Sequence, residues 1–268
     1  MATYKGISGF NIKSLATDPS NLLEGEIWYN STSGTLKVAP LVASWASGGA
    51  YPASVRETYG VGTLTAGLGF NGTGGTTLSA EYDGTSWGNT ATPGSSKVAR
   101  GGAGTQTAGL AFGGEPDTGD TEEYNGASWA TGGTQPAGTS YAGSCGTQTS
   151  AVVFGNTPSA SALTFEYNGT GWAAGGALVT PVSRTTGSGT QTAAIQAGDG
   201  PPATTTSQLY DGTTWATNAN IATARYNTGA SSVSSTSSFI FGGNPGSGTV
   251  DTTEEFTAAV TAETVTTS

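Results

Sequence analysis

The chain has 268 residues with 18 acidic side chains, eight basic ones, no histidine and a net charge of −10. Cations so few and scattered exclude the clustered Lys and Arg that a nucleic-acid backbone needs, and an anionic membrane surface would repel the chain. The lack of histidine removes Ser-His-Asp and Cys-His catalysis and His-ligated zinc or copper, so no catalytic residue, metal or cofactor is expected.

Residues 1–24 carry no repeat. Met1 to Gly6 lacks the apolar core of a secretory signal, and apolar runs such as Ala151 to Phe154 and Phe239 to Phe241 are far too short to span a membrane. Asp18-Pro19-Ser20 opens a short helical turn over Asn21 to Leu23 that Gly25 ends. Glu26 to Asn30 and Gly34 to Val38 bracket the polar Ser31 to Ser33 and predict a hairpin. The expected organisation is a 1–40 segment with this hairpin, anchoring a 41–268 domain.

From Trp45 a six-residue phrase sets the period. It reads Tyr82-Asp83-Gly84-Thr85-Ser86-Trp87 and returns at Tyr124 to Trp129, Tyr167 to Trp172 and Tyr210 to Trp215. The tryptophans at 45, 87, 129, 172 and 215 are spaced by 42, 42, 43 and 43 residues. So constant a step marks an array of identical supersecondary units. Asp-Gly or Asn-Gly predicts a type I′ hairpin turn with φ > 0 at both residues, flanked by aromatic strand residues. Ahead of each hairpin stand an apolar strand and a strand leading into the Tyr: Thr65 to Phe70 with Leu78 to Tyr82, Thr107 to Gly114 with Thr121 to Tyr124, Ser150 to Gly155 with Leu163 to Tyr167, and Thr192 to Gly198 with Ser207 to Tyr210. A fifth unit has Ser238 to Gly243 and Thr252 to Phe256 but no following Trp. An Arg opens most units (Arg56, Arg100, Arg184, Arg225), with Tyr141 at that place in the third. Four short strands in about 42 residues make one propeller blade.

The pattern of Arg, apolar strand, Gly-Gly, Tyr and Trp resembles the kelch repeat over roughly residues 45 to 257, with Gly113-Gly114 and Gly242-Gly243 the full matches. The resemblance implies an all-β, five-bladed kelch-like β-propeller of four-stranded antiparallel blades. The strand around Trp45 completes the fifth blade and closes the ring, which removes open sheet edges. Leu36 to Val38 and Thr252 to Phe256 compete for the third strand of that blade. Together with the opening Gly-Glu-Ile-Trp-Tyr-Asn and Gly-Thr-Leu-Lys-Val segment, the repeats also look like virion-associated proteins of marine bacteriophages. That likeness implies a chain made in the host cytoplasm without a signal peptide, located in the virion, and joined to other virion proteins or further copies of itself through its N-terminal segment.

Few residues read as chemistry. The repeated Arg is expected to bind neighbouring backbone, and Glu122-Glu123 and Glu254-Glu255 recur at one blade position with Glu81 and Glu166 close to it, as scaffold residues do. Cys145 reads as an apolar filler. The Gly-Thr-Gln-Thr turns and the Asp/Asn-Gly hairpins at one end of the blades are uniform, whereas the connections at the other end differ from unit to unit. Variable loops on a rigid scaffold suit recognition, which makes Glu115, Asp117, Asp120, Asn156, Asp199 and Asn244 the expected ligand-binding residues. The expected function is a non-enzymatic structural protein of a phage tail or fibre that recognises a host-surface glycan. A ligand-free capsid or neck decoration and a glycan-processing enzyme are the alternatives.

Overall fold

Short β-favouring runs between turn residues become 22 strands and no helix in the computed structural model of the chain, which describes residues 12–20, 27–38, 48–73, 77–231 and 234–257. The chain divides into two compact units, Met1–Ser47 and Gly48–Ser268.

In the first unit β1 (Lys13–Leu15) runs parallel to β2 (Ile27–Asn30), which pairs antiparallel with β3 (Thr35–Val38). The hairpin expected from sequence is present; the parallel strand ahead of it had no sequence signal. Alternation along β2 turns Trp28 and Asn30 inward and leaves Ile27 and Tyr29 exposed. Asp18 holds this inner side, accepting from Trp28 Nε1 at 2.9 Å and Asn30 Nδ2 at 2.7 Å and pairing with Lys37 at 2.6 Å. The helical turn expected at 21–23 and the closing strand around Trp45 lie outside the described residues.

The second unit is five antiparallel sheets in chain order. The first sheet holds β4 (Tyr59–Thr63), β5 (Ala66–Phe70), β6 (Ser79–Tyr82) and β7 (Trp87–Asn89), and the second β8 (Gly101–Thr105), β9 (Ala108–Phe112), β10 (Thr121–Tyr124) and β11 (Trp129–Thr131). The third holds β12 (Gly143–Thr147), β13 (Ser150–Phe154), β14 (Thr164–Tyr167) and β15 (Trp172–Ala174). The fourth holds β16 (Thr186–Thr190), β17 (Ala193–Asp199), β18 (Thr204–Tyr210) and β19 (Trp215–Thr217). The fifth has three described strands, β20 (Gly229–Ala230), β21 (Ser237–Phe241) and β22 (Thr253–Thr257). Thr253–Thr257 is thus the third strand of the fifth sheet, and Leu36 to Val38 belongs to the first unit. Repeated four-stranded antiparallel sheets of this kind are consistent with propeller blades.

First strands of successive sheets lie side by side, β4 by β8, β8 by β12, β12 by β16 and β16 by β20. Glycine permits that approach: a Cβ on Gly187 would come 2.9 Å from the Ser144 amide nitrogen and 3.0 Å from its carbonyl oxygen. Adjacent sheets interlock through three devices. The Trp ring of each fourth strand meets the Phe of the preceding sheet edge-on: Trp129 on Phe70, Trp172 on Phe112 and Trp215 on Phe154, with centroids 5.4, 4.9 and 4.7 Å apart. The Gln of each Gly-Thr-Gln-Thr turn donates to two carbonyls of the preceding sheet, as Gln148 does to Gly109 at 2.9 Å and Tyr124 at 2.7 Å. The hairpin Tyr donates to a Glu of that sheet: Tyr124 to Glu81, Tyr167 to Glu123 and Tyr210 to Glu166. Glu81, Glu123 and Glu166 are therefore scaffold in their geometry, and buried Cys145 lies in the core between sheets with its thiol pushed up to about 12 by burial.

Two sequence expectations need correction. The hairpins are four-residue loops closed by pairs such as Tyr82 and Trp87, and of Asp83-Gly84 only the Gly has positive φ, so the turn is not type I′. Asp83 Oδ1 instead accepts the amides of Thr85 and Ser86, both at 2.8 Å, and this side-chain turn replaces the second left-handed residue. Nor do the four arginines share a position. Arg184 aligns with Tyr141, while Arg56, Arg100 and Arg225 are offset in the chain; the last two are buried and paired with Glu122 and Glu254. Arg100 and Arg225 still bind neighbouring backbone as expected, donating to the Ala111 carbonyl at 3.1 Å and to those of Thr223, Gly242 and Thr252 at 3.2, 3.1 and 2.9 Å, and the ion pairs add to that role.

Candidate functional site

One residue ahead of or near the first strand of every sheet is left-handed although it is not glycine: Glu57, Ala99, Tyr141, Arg184 and Asn227, with φ of 56, 54, 48, 48 and 53°. Such a conformation costs an ordinary L-residue roughly 1–2 kcal/mol. Backbone bonds between sheets offset it: the Tyr141 amide donates to the Ala99 carbonyl at 3.2 Å and the Asn227 amide to Arg184 at 2.9 Å. Four of these residues, Glu57, Ala99, Tyr141 and Asn227, line a common cavity of about 360 Å³ with residues in or just ahead of the first strand of each sheet, and the fifth, Arg184, lies against Tyr141 beside it.

The floor of this cavity is closed. Tyr59, from the first sheet, reaches Ser144 of the third at 3.1 Å, and Ser144 Oγ donates to the Gly102 carbonyl at 3.2 Å. Gly143 and Gly187 leave the walls bare of side chains. At the mouth the Arg184 guanidinium lies over the Tyr141 ring, 4.1 Å from its centroid, a cation–π contact. The Glu57 carboxylate is against the Tyr141 hydroxyl, whose pKa is raised by burial first and then by the charges of Glu57 and Glu115, with Arg184 opposing. Arg184 forms no ion pair with any described residue. Two buried polar atoms of lining residues, Arg100 Nε and Thr228 Oγ1, have no hydrogen-bond partner.

Comparison with protein-family models gives no match, and none of the curated proteins compared matches the sequence.

The connections after the second strands leave the same end of the sheets as the segments entering the first strands, as antiparallel order requires. Of the six expected ligand residues none lines the cavity; Glu115 is exposed, and its charge helps to raise the Tyr141 hydroxyl. Asn156 and Asp199 are spent on backbone: they accept the amides of Ser140 at 2.7 Å and Ser183 at 2.6 Å, one residue before Tyr141 and Arg184. They hold the left-handed residues in place. Asp120 pairs with Lys97 at 3.5 Å, Asn244 caps its own turn through the Gly246 amide at 2.7 Å, and Asp117 is exposed. No group of three or more Asp, Glu, Cys or His among the described residues could hold a metal ion.

Sequence reasoning overlooked Glu57 and Asn227. The signal was there: stepping the 42–43-residue period from Tyr141 and Arg184 lands on Ala99, Glu57 and Asn227. Alignment on the nearest Arg obscured it, because the shared property is a backbone conformation and the five residue types differ.

A second cavity, of about 180 Å³, lies between the fourth and fifth sheets against Ile195, Ala197, Ser207, Ile221, Ile240 and Phe256. Ala197 and Ser207 stand where Phe154 and Thr164 hold Trp215 one sheet earlier, Thr164 accepting from its indole nitrogen at 2.9 Å.

Proposed function

We propose that this chain is a recognition module of a bacteriophage tail or fibre, a five-bladed kelch-like β-propeller that binds a host-surface glycan at the end carrying the axial cavity. The observation that carries the reading is the convergence of four unlike left-handed residues from alike sheets on one cavity, with the fifth, Arg184, packed on one of them. Conserving a strained backbone while varying its residues is what a binding rim on a repeat scaffold requires. Support for the virion comes from the resemblance of the repeats and opening segment alone. The N-terminal unit is the proposed attachment to other virion proteins.

Ring closure by the strand around Trp45 belongs to the same proposal. The cavity over Ala197 and Ser207 supports it, because it lies at the place equivalent to the one where Phe154 and Thr164 hold Trp215. Deleting residues 1–50 should then cause aggregation or a marked fall in melting temperature, and equal stability of the 51–268 fragment would contradict closure.

Binding is tested by presenting the purified full chain to an array of bacterial surface polysaccharides. Retention that falls when 115–120 and 157–161 are exchanged for Gly/Ser linkers of equal length supports the reading. Absence of any retention points to a ligand-free decoration protein, and release of shortened saccharides to an enzyme.

A further inference from the structure

The axial cavity has a chemical character beyond being a pocket at the right end. We propose that it binds an acidic monosaccharide unit, a hexuronate, with the sugar carboxylate on Arg184. This rests on the glycan-recognition reading and narrows it to one substrate class. Several features point the same way.

Arg184, beside the cavity, holds the centre of its guanidinium over the lining Tyr141 ring, 4.1 Å from the centroid, and its donors are not consumed by an ion pair with any described residue. A planar fork fixed in that way matches a planar carboxylate through two parallel N–H···O bonds. The remaining polar groups suit hydroxyls. Glu57 offers acceptor oxygens at the mouth, Asn227 an amide with both donor and acceptor, and Thr228 Oγ1 is buried without a partner.

Size and charge restrict the choice further. A cavity of about 360 Å³ is at the small end of ligand pockets, which run ~300–1,000 Å³, and Gly143 and Gly187 leave flat walls beside which a sugar ring fits. Glu57 lines the cavity, and the charges of Glu57 and Glu115 both act on the Tyr141 hydroxyl. They would repel a dianion such as phosphate, whereas a single carboxylate flanked by hydroxyls meets Arg184 at one end and donates to those carboxylates at the other. A neutral hexose would leave the Arg184 donors without an anion.

Calorimetry on the full chain at low salt tests this, with glucuronate and galacturonate against glucose, galactose and inorganic phosphate, alongside Arg184→Gln, Arg184→Lys and Glu57→Gln. At least one hexuronate should bind ten times or more tighter than its neutral hexose. Arg184→Gln should erase that preference, Arg184→Lys should keep part of it, and Glu57→Gln should weaken hexuronate and hexose alike. Competition by millimolar acetate against hexuronate on the unaltered protein provides a check that needs no variant to fold. Equal affinity for hexose and hexuronate, tighter binding of phosphate, or a hexuronate preference untouched by Arg184→Gln would overturn the ligand class while the array result stands. Failure to bind any sugar, together with a blank polysaccharide array, would overturn the recognition reading itself.

Discussion

The joints among the first four sheets and the joint between the fourth and fifth use different chemistry on the same backbone plan. At the former, Tyr donates to Glu, Gln bridges two carbonyls, and Trp meets Phe. At the latter, Leu209 replaces the Glu, Phe256 the Tyr and Ala197 the Phe, and no Gln occurs in 229–257. The two partners of the Tyr–Glu bond change together, from a polar pair to an apolar one, as expected where leaving a single buried partner unsatisfied costs more than removing both. On the far side of the fifth sheet, Phe239 and Phe241 are 42 and 48% exposed, whereas Phe112 and Phe154, each covered by the Trp of the following sheet, are fully buried. Position in the array, rather than the repeat pattern, decides how much each residue contributes.

The largest contrast should come from the aromatic contact. Phe112→Ala removes a fully buried ring and should cost about 3–5 kcal/mol in denaturant unfolding, while Phe241→Ala in the fifth sheet should cost less than about 1 kcal/mol. Comparable losses would mean that the fifth sheet is packed as the others are. Next, Gln148→Ala leaves the Gly109 and Tyr124 carbonyls without their side-chain donor and should cost roughly 2–3 kcal/mol.

A smaller effect tests the paired exchange. Tyr167→Phe alone strips Glu123 of its donor and should cost about 1.5 kcal/mol. Adding Glu123→Leu, which recreates the Leu209 and Phe256 pairing, should recover most of that loss; a double variant worse than the sum of the singles would break the comparison.

The smallest effect is electrostatic. Asp211 accepts the Thr213 and Thr214 amides at 2.8 and 2.7 Å, which holds its carboxyl down to about 2. A depressed carboxyl contributes stability above its ordinary value near ~3.9 that is lost as pH falls through the folded value. The Asn168 hairpin has the same hydrogen bonds without a charge. Amide exchange at Thr213 and Thr214 should therefore accelerate between pH 4 and 2, after correction for intrinsic rates, while Thr170 and Gly171 stay level.

Much of the fold was legible because it is periodic. Tyr, Gly and Trp recur at fixed offsets, and four strands per period follow from them. Turn geometry was less legible, since Asp-Gly serves both a two-residue turn and the four-residue side-chain turn found here; only the pairing of Tyr82 with Trp87 distinguishes them. The axial rim was hidden for a different reason. Its five positions share φ near +50° and a place ahead of the first strand of each sheet, and neither property leaves a residue signature when the residues are Glu, Ala, Tyr, Arg and Asn. The buried roles of Arg100 and Arg225 were hidden likewise, because each reaches its Glu from a different offset along the chain.

The central claim is that recognition belongs to the axial end of the sheets. Hydrogen exchange of the full chain with and without a polysaccharide retained on the array tests it most directly. The account predicts added protection in 57–59, 141–144, 184–187 and 227–229, with none in the hairpins at 83–86, 125–128, 168–171 and 211–214. Protection confined to those hairpins, or to the Gly-Thr-Gln-Thr turns beside them, would place the ligand at the opposite end and contradict it.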